Sequence, residues 1–321
     1  MFAKLHSRRC SAFHILLQVD NAFDIGGSSL LMGALAIAPS KDTLWTASPQ
    51  PGTMSDTEHS GNSYTTQPHV ALDVVLATLS LGPVGISDGL GQQDVGLISQ
   101  AFMSATDGTL LRPSRPLSWV DSVWFNRSAA GGNAAASQDI RSTHSAIPTS
   151  NAPSAPVTAA WHSIVAWRTT SDVELGATDL FPLQRVGSRV AVRAHVLSPS
   201  QQQAGCVDAQ PNSAQCAVIV AAGQPVAIPH TGTAADAFSL TSVAVELDNG
   251  AFFLGELSKL VHVSPQRFTY VRVGGSGPSK IVAGVRGTAG QAVLLTSIDS
   301  LGVVHVVNVT IPAGGVTDVN L

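Results

Sequence analysis

The chain has 321 residues, a formal charge of −4, 44% hydrophobic residues and only 12% charged ones. That length allows one large or two ordinary domains with real cores, and the apolar content excludes a chain disordered throughout. The scattered basic residues, with only a small mixed cluster at Lys4–Arg9, exclude the basic stripe expected of a nucleic-acid binder.

Residues 1–24 show no steady period and read as an irregular segment. They do not resemble an orthodox signal peptide: the basic cluster comes late and Ile15 to Val19 is a poor apolar core. From Ile25 to Ala38 the pattern is a small-residue helix stopped by Pro39. The best apolar run, Leu30 to Ala38, is far short of the roughly 20 residues a membrane helix needs. Asp42 to Ser48 is predicted as a short strand ended by Pro49-Gln50-Pro51-Gly52, and a polar loop runs from Thr53 to Gln67. Val70 to Leu81 is a helix with Leu72, Val75, Leu76 and Leu79 on one face. Gly82 breaks it, Val84 to Ser87 is the next strand, and Gln93 to Ser104 is a second helix with Val95, Ile98, Phe102 and Met103 inward. Helix, strand, helix, strand, helix with short connections is α/β of the parallel type.

Asp107-Gly108 is a turn leading into Leu110-Leu111-Arg112-Pro113. Residues 129–158 are small and polar with almost no large apolar side chain, and read as a flexible linker or insert. From Trp161 onward the texture alternates: 161–168, 189–196, 217–221, 242–247, 268–273, 280–285, 292–297 and 302–309. Turn residues punctuate these runs every ~10–20 positions, as in an antiparallel sandwich. Gly-Gly-Ser-Gly at 274–277 is a hairpin turn.

Three segments carry a resemblance. They are the helix 25–38 with Ala38-Pro39-Ser40-Lys41-Asp42-Thr43-Leu44-Trp45, the strand Gly82-Pro83-Val84-Gly85-Ile86-Ser87-Asp88, and the exit Asp107-Gly108-Thr109-Leu110-Leu111-Arg112. Together they resemble the last βα units of raffinose synthases and α-galactosidase-type proteins, glycoside hydrolase family thirty-six. The resemblance covers about residues 20–121 and is only architectural beyond the linker. It implies an α/β plus all-β chain: residues 25–121 as the end of an incomplete (β/α)8 barrel, and residues 159–321 as a C-terminal antiparallel β-sandwich. It also implies a carbohydrate partner of the α-galactoside kind, and no cofactor.

Retaining chemistry on such a sugar needs two carboxylates about 5–5.5 Å apart. The relatives take their nucleophile from an earlier strand, which this chain is expected to lack, and their acid/base aspartate should fall near residues 8–15, where no carboxylate stands. Asp20 is the one remaining catalytic candidate, because Asp24 reads better as a helix N-cap. Asp88 sits where a barrel strand would open onto sugar, either as a contact to hydroxyls or as a local loop cap. Ser87 and Gln50 lie at the same end, and Trp45 either stacks on a pyranose or belongs to the core.

Other signals are smaller. Cys206 and Cys216 bracket a polar loop that a disulfide would close, with two free thiols as the alternative. Asn126 and Asn308 begin glycosylation sequons, which fit a secreted product. His59 and His69 lie near the proposed site without zinc-ligand spacing. Three classes therefore compete: a partial or degenerate carbohydrate-active homologue inactive alone, a non-catalytic carbohydrate-binding module, and a structural or interaction protein.

Overall fold

A computed structural model describes residues 34–35, 37, 41–47, 69–104, 107–123, 139–149, 158–167, 169, 171–180, 189–196, 217–231, 237–274 and 280–321. The predominant architecture is antiparallel β, arranged in layers in the manner of a sandwich. The central layer is a six-stranded sheet built from β3 (Ser118–Trp119), β4 (Asp139–Pro148), β5 (Thr158–Trp167), β10 (Phe238–Val245), β7 (Val190–Val196) and β8 (Ala217–Val220), in that spatial order. Every neighbouring pair in it is antiparallel. Two three-stranded sheets follow: β11 (Phe252–Gly255) with β14 (Ala292–Ile298) and β15 (Val304–Thr310), and β12 (Phe268–Val273) with β13 (Ile281–Arg286) and β16 (Val316–Asn320). A small ladder of β6 (Val173–Leu175) and β9 (Val226–Ile228) completes the β part.

Register decides which face each side chain takes. Trp167 pairs with Phe238, Val165 with Leu240 and Ser163 with Ser242, so these residues share one face of the central sheet. At one end of that face Val165, Trp167, Phe238 and Leu240 pack with Leu44, Leu72, Leu76 and Leu111. At the other end Ile147, Trp161 and Ala244 pack with the two three-stranded sheets, including Phe253, Phe268, Val285 and Leu295. The opposite face carries Ile140, Ile164, Ala166 and Val243, covered by Leu175, Leu180, Val226 and Ile228.

The parallel part is a single βαβ unit. Strand β1 (Lys41–Leu44) pairs parallel with β2 (Val84–Ile86), and helix α1 (Val70–Leu79) connects them. It is the one parallel pairing among the described residues. Helix α1 is buried from Leu72 to Leu79, the condition of a helix apolar on every side. It stops earlier than its apolar run suggests, because Leu81 turns into the left-handed region at φ +67. The N–H of Leu117 then donates to the Leu79 carbonyl at 3.2 Å, satisfying one of the acceptors a helix end leaves open.

Helix α2 (Val95–Ala101) is shorter than the predicted 93–104 and presents a different face. Asp94 caps it by accepting from the Leu97 N–H at 2.9 Å. Phe102 leaves the helix in an extended conformation and bridges to Leu110. Val95, expected inward, is exposed (69%), whereas Met103 is buried beyond the helix end. The Asp107-Gly108 turn forms as expected, with Gly108 at φ +68.

The expected linker 129–158 is corrected in its middle: Asp139–Pro148 is a ten-residue strand of the central sheet. Its inward positions after Asp139 and Arg141 are Thr143, Ser145 and Ile147, so its alternation is carried mostly by small hydroxylated side chains and leaves little hydrophobic signal. Residues 124–138 and 150–157 lie outside the described residues. So do helix 25–33, Asp20, Gln50, His59, Cys206, Cys216 and Asn126.

The expected boundary between residues 25–121 and 159–321 is also softer than the sequence suggests, since both contribute to one hydrophobic cluster. Arg141, buried on β4, stacks its guanidinium 4.0 Å from the Trp119 ring and 5.1 Å from the Trp167 ring.

Candidate functional site

Of the residues singled out in the sequence, Trp45, Ser87 and Asp88 lie where β1 and β2 end. Leu44 is buried, Trp45 is half-buried and Thr46 is buried, the alternation of a strand continuing past its last pairing. Just past the end of β2, Ser87 is exposed and Asp88 half-buried. The Ser87 N–H and hydroxyl both donate to the Leu44 carbonyl, at 2.9 and 3.3 Å.

The Asp88 carboxylate is engaged across the gap between the strands. Its Oδ1 accepts from the Thr46 N–H at 2.8 Å and the Ala47 N–H at 3.2 Å. Its Oδ2 accepts from the Thr46 hydroxyl at 2.7 Å. That same hydroxyl accepts from the Asp94 N–H at 2.9 Å. A carboxylate offers about four acceptor positions, and three bonds here fix the exit of β1 to the exit of β2. Asp88 is therefore a clamp on the neighbouring strand's loop, a longer-range bond than the local cap considered from sequence.

Thr46 is the residue that sequence reading missed, for it joins Asp88, Asp94 and its own strand end. A lone Thr after an aromatic carries no local signal for this. The Asp94 cap was missed as well, because the predicted helix began at Gln93; an Asp standing just before Val95-Gly96-Leu97 is the signal that would have found it. Two carboxylates thus lie at this end, and each accepts from backbone N–H groups. The structure brings Trp45, Ser87 and Asp88 together; among the described residues no group of three or more His, Cys, Asp or Glu could hold a metal ion. A small cavity lined by described residues lies elsewhere, against the central sheet.

Behind this end, the loop after β11 grips the close of α2. Lys259 Nζ donates to the carbonyls of Ser99 at 2.7 Å and Phe102 at 2.8 Å, a cation on the acceptor-rich C-terminus of a helix. Arg267, fully buried, pairs through Nε with Glu256 at 2.9 Å and donates through its Nη atoms to the carbonyls of Met103 (2.7 Å) and Arg286 (2.6 Å). Burial raises the Glu256 carboxyl above its usual range, although Arg267 and Lys259 pull it down. Burial likewise lowers Arg267 and Lys259, so desolvation outweighs attraction at all three groups.

Asn308 is exposed on the edge strand β15. No helix among the described residues is long and apolar enough to cross a membrane. Compared with known sequences, the chain matches no family model and no curated protein.

Proposed function

We propose that this chain is a non-catalytic, carbohydrate-binding relative of raffinose synthases and α-galactosidases of glycoside hydrolase family thirty-six. In this reading β1, α1 and β2 are the closing unit of a (β/α)8 barrel, and the antiparallel layers are the β domain that follows it. The observation that carries the reading is the Asp88 clamp, which holds half-buried Trp45 and exposed Ser87 together at the C-terminal ends of two parallel strands. Those ends are where α/β proteins present their ligands. A tryptophan held at such an end offers a flat apolar face to a pyranose, and serine offers a donor and acceptor to its hydroxyls.

The same clamp argues against turnover by this chain alone. Glycosyl transfer with retention needs one free nucleophile and one proton donor, and Asp88 and Asp94 each accept bonds that hold backbone in place. Isothermal titration with raffinose and melibiose tests the binding. Saturable binding lost in Trp45→Ala is the expected result, together with no release of nitrophenol from a nitrophenyl α-galactoside. Flat titrations would remove the carbohydrate reading.

A second reading, an interaction protein, is favoured by one observation. The edge strand β15 exposes Val304 (38%) and Val306 (50%), beside Leu301 (85%), and open apolar edges are pairing surfaces. Concentration-dependent sedimentation of the wild-type protein, with no sugar binding, would support that reading instead.

A further inference from the structure

We propose that β15 pairs antiparallel with the β15 of a second copy of this chain, about a two-fold axis through Val307. This pairing rests on the reading of β15 as an open edge, and adds to it the partner and the register.

The backbone of β15 is presented for pairing. Among the described residues it joins β14 alone, from Val304 opposite Ile298 to Thr310 opposite Ala292, without a register shift. At the ends of that ladder the Val303 carbonyl accepts from the Asp299 N–H at 2.9 Å, and the Ile311 N–H donates to the Gln291 carbonyl at 2.9 Å. Odd-numbered residues from 303 to 311 therefore turn their N–H and C=O groups toward β14, and Val304, Val306, Asn308 and Thr310 turn theirs outward. The side chains of these four are exposed. The hairpin is also held in shape. Asp299 accepts from the Leu301 and Val303 N–H groups at 2.9 and 2.8 Å and meets His305 Nε2 at 3.0 Å, so pairing has little left to order.

Charge and symmetry select a second copy. Residues 300–317 contain no Asp, Glu, Lys or Arg, so two copies meet here without like charges, and nothing on the edge selects a charged partner. Edge strands are ordinarily guarded by charge, proline or a bulge, and Val304–Thr310 has none of these. The other edge strand of these layers, β16, is guarded: Asp318 stands exposed at its centre, where two copies would oppose two carboxylates. The four outward residues of β15 are also symmetric about Val307. An axis there sets Val304 opposite Thr310 and Val306 opposite Asn308 of the second copy, so every outward N–H and C=O meets another. Moving the axis to Val306 would leave Thr310 facing the turn at Gly302.

Analytical ultracentrifugation of the intact wild-type protein is expected to show a monomer–dimer equilibrium. Val306→Lys, at an exposed side chain, should weaken the dimer at least about tenfold, because it sets like charges close to the axis. Disulfide cross-linking reads the register. Residue 307 meets its own copy at a non-hydrogen-bonded position with Cα atoms about 4.5 Å apart, whereas the two residues 305 lie about 14 Å apart. After mild oxidation, Val307→Cys should yield a peptide linked to itself through position 307, and His305→Cys should not. A monomeric wild type would overturn the open-edge reading and the dimer together, as would a dimer indifferent to Val306→Lys. Linkage at 305, or at neither position, in a dimer that Val306→Lys disrupts would overturn this pairing and leave the open edge standing.

Discussion

Arg267 donates to the carbonyl of Met103 at 2.7 Å across 164 residues of sequence, and neither group meets solvent. Met103 closes the segment that follows α2, and Arg267 opens the strand β12, so this bond fastens the α/β unit to the last β layers. The Gln291 amide reaches the same carbonyl, and Lys259 takes the carbonyls of Phe102, just before it, and Ser99, one turn earlier.

Arg267→Met should therefore destabilise the whole molecule, by about 3–5 kcal/mol, since it leaves buried Glu256 without its hydrogen-bonded cation and with only Lys259, 3.9 Å away, to offset its charge. The midpoint of urea unfolding measures this. Adding Glu256→Met to that variant should cost about 1–3 kcal/mol less than it does in the wild type, because the second change removes a charge already stranded. Equal costs in both backgrounds would mean the pair is not coupled.

Asp88→Ala removes a charged acceptor from Thr46 and Ala47, and should cost about 2–3 kcal/mol. The loss should be local. Amide hydrogen exchange at Thr46 and Ala47 is expected to rise well before exchange in β5 or β10 does, and equal rises everywhere would contradict the clamp.

His162 supplies the pH dependence. Burial first, and His144 second, lower it to about 3. The ring centroids of the two histidines lie 5.4 Å apart. The unfolded chain binds this proton near pH 6.5 while the folded protein does not, so stability should fall as pH drops from about 6.5 toward 3. The slope from this group is at most about 1.4 kcal/mol per pH unit. His162→Gln should flatten that part of the curve, and an unchanged slope would exclude His162 as its source.

Gly255→Ala should prevent accumulation of folded protein. The position has φ +79, and an added Cβ would lie 2.2 Å from the His262 carbonyl oxygen, on rigid backbone. A cost of about 4 kcal/mol or more is expected, visible as loss of soluble protein.

Much of this organisation was readable in the residues. The alternating runs from Trp161 onward became strands because their periods were uniform and their side chains large. The βαβ order was legible because α1 and the two strands around it are bounded by Gly and Pro. Strand β4 was not, because Thr143, Ser145 and its other small residues carry no hydrophobic alternation. Strand β11 was missed for the opposite reason: Phe252, Phe253 and Leu254 are all buried and do not alternate. At the candidate site, the placing of Trp45, Ser87 and Asp88 at neighbouring strand ends was legible from their positions after two apolar strands. Thr46, Lys259 and Arg267 were not, since their partners lie ~40 to ~160 residues away and no local spacing reports them.

Those long separations bear on how the molecule is made. During translation α2 leaves the ribosome roughly ten to thirty seconds before Arg267 and Gln291 do, at ordinary elongation speeds. Through that interval the segment after α2 lacks the bonds from Arg267 and Gln291 to the Met103 carbonyl, although helix α1 can already pack on Leu117, Val165 and Trp167. A truncation that ends before residue 256 would freeze the polypeptide in that unfinished condition.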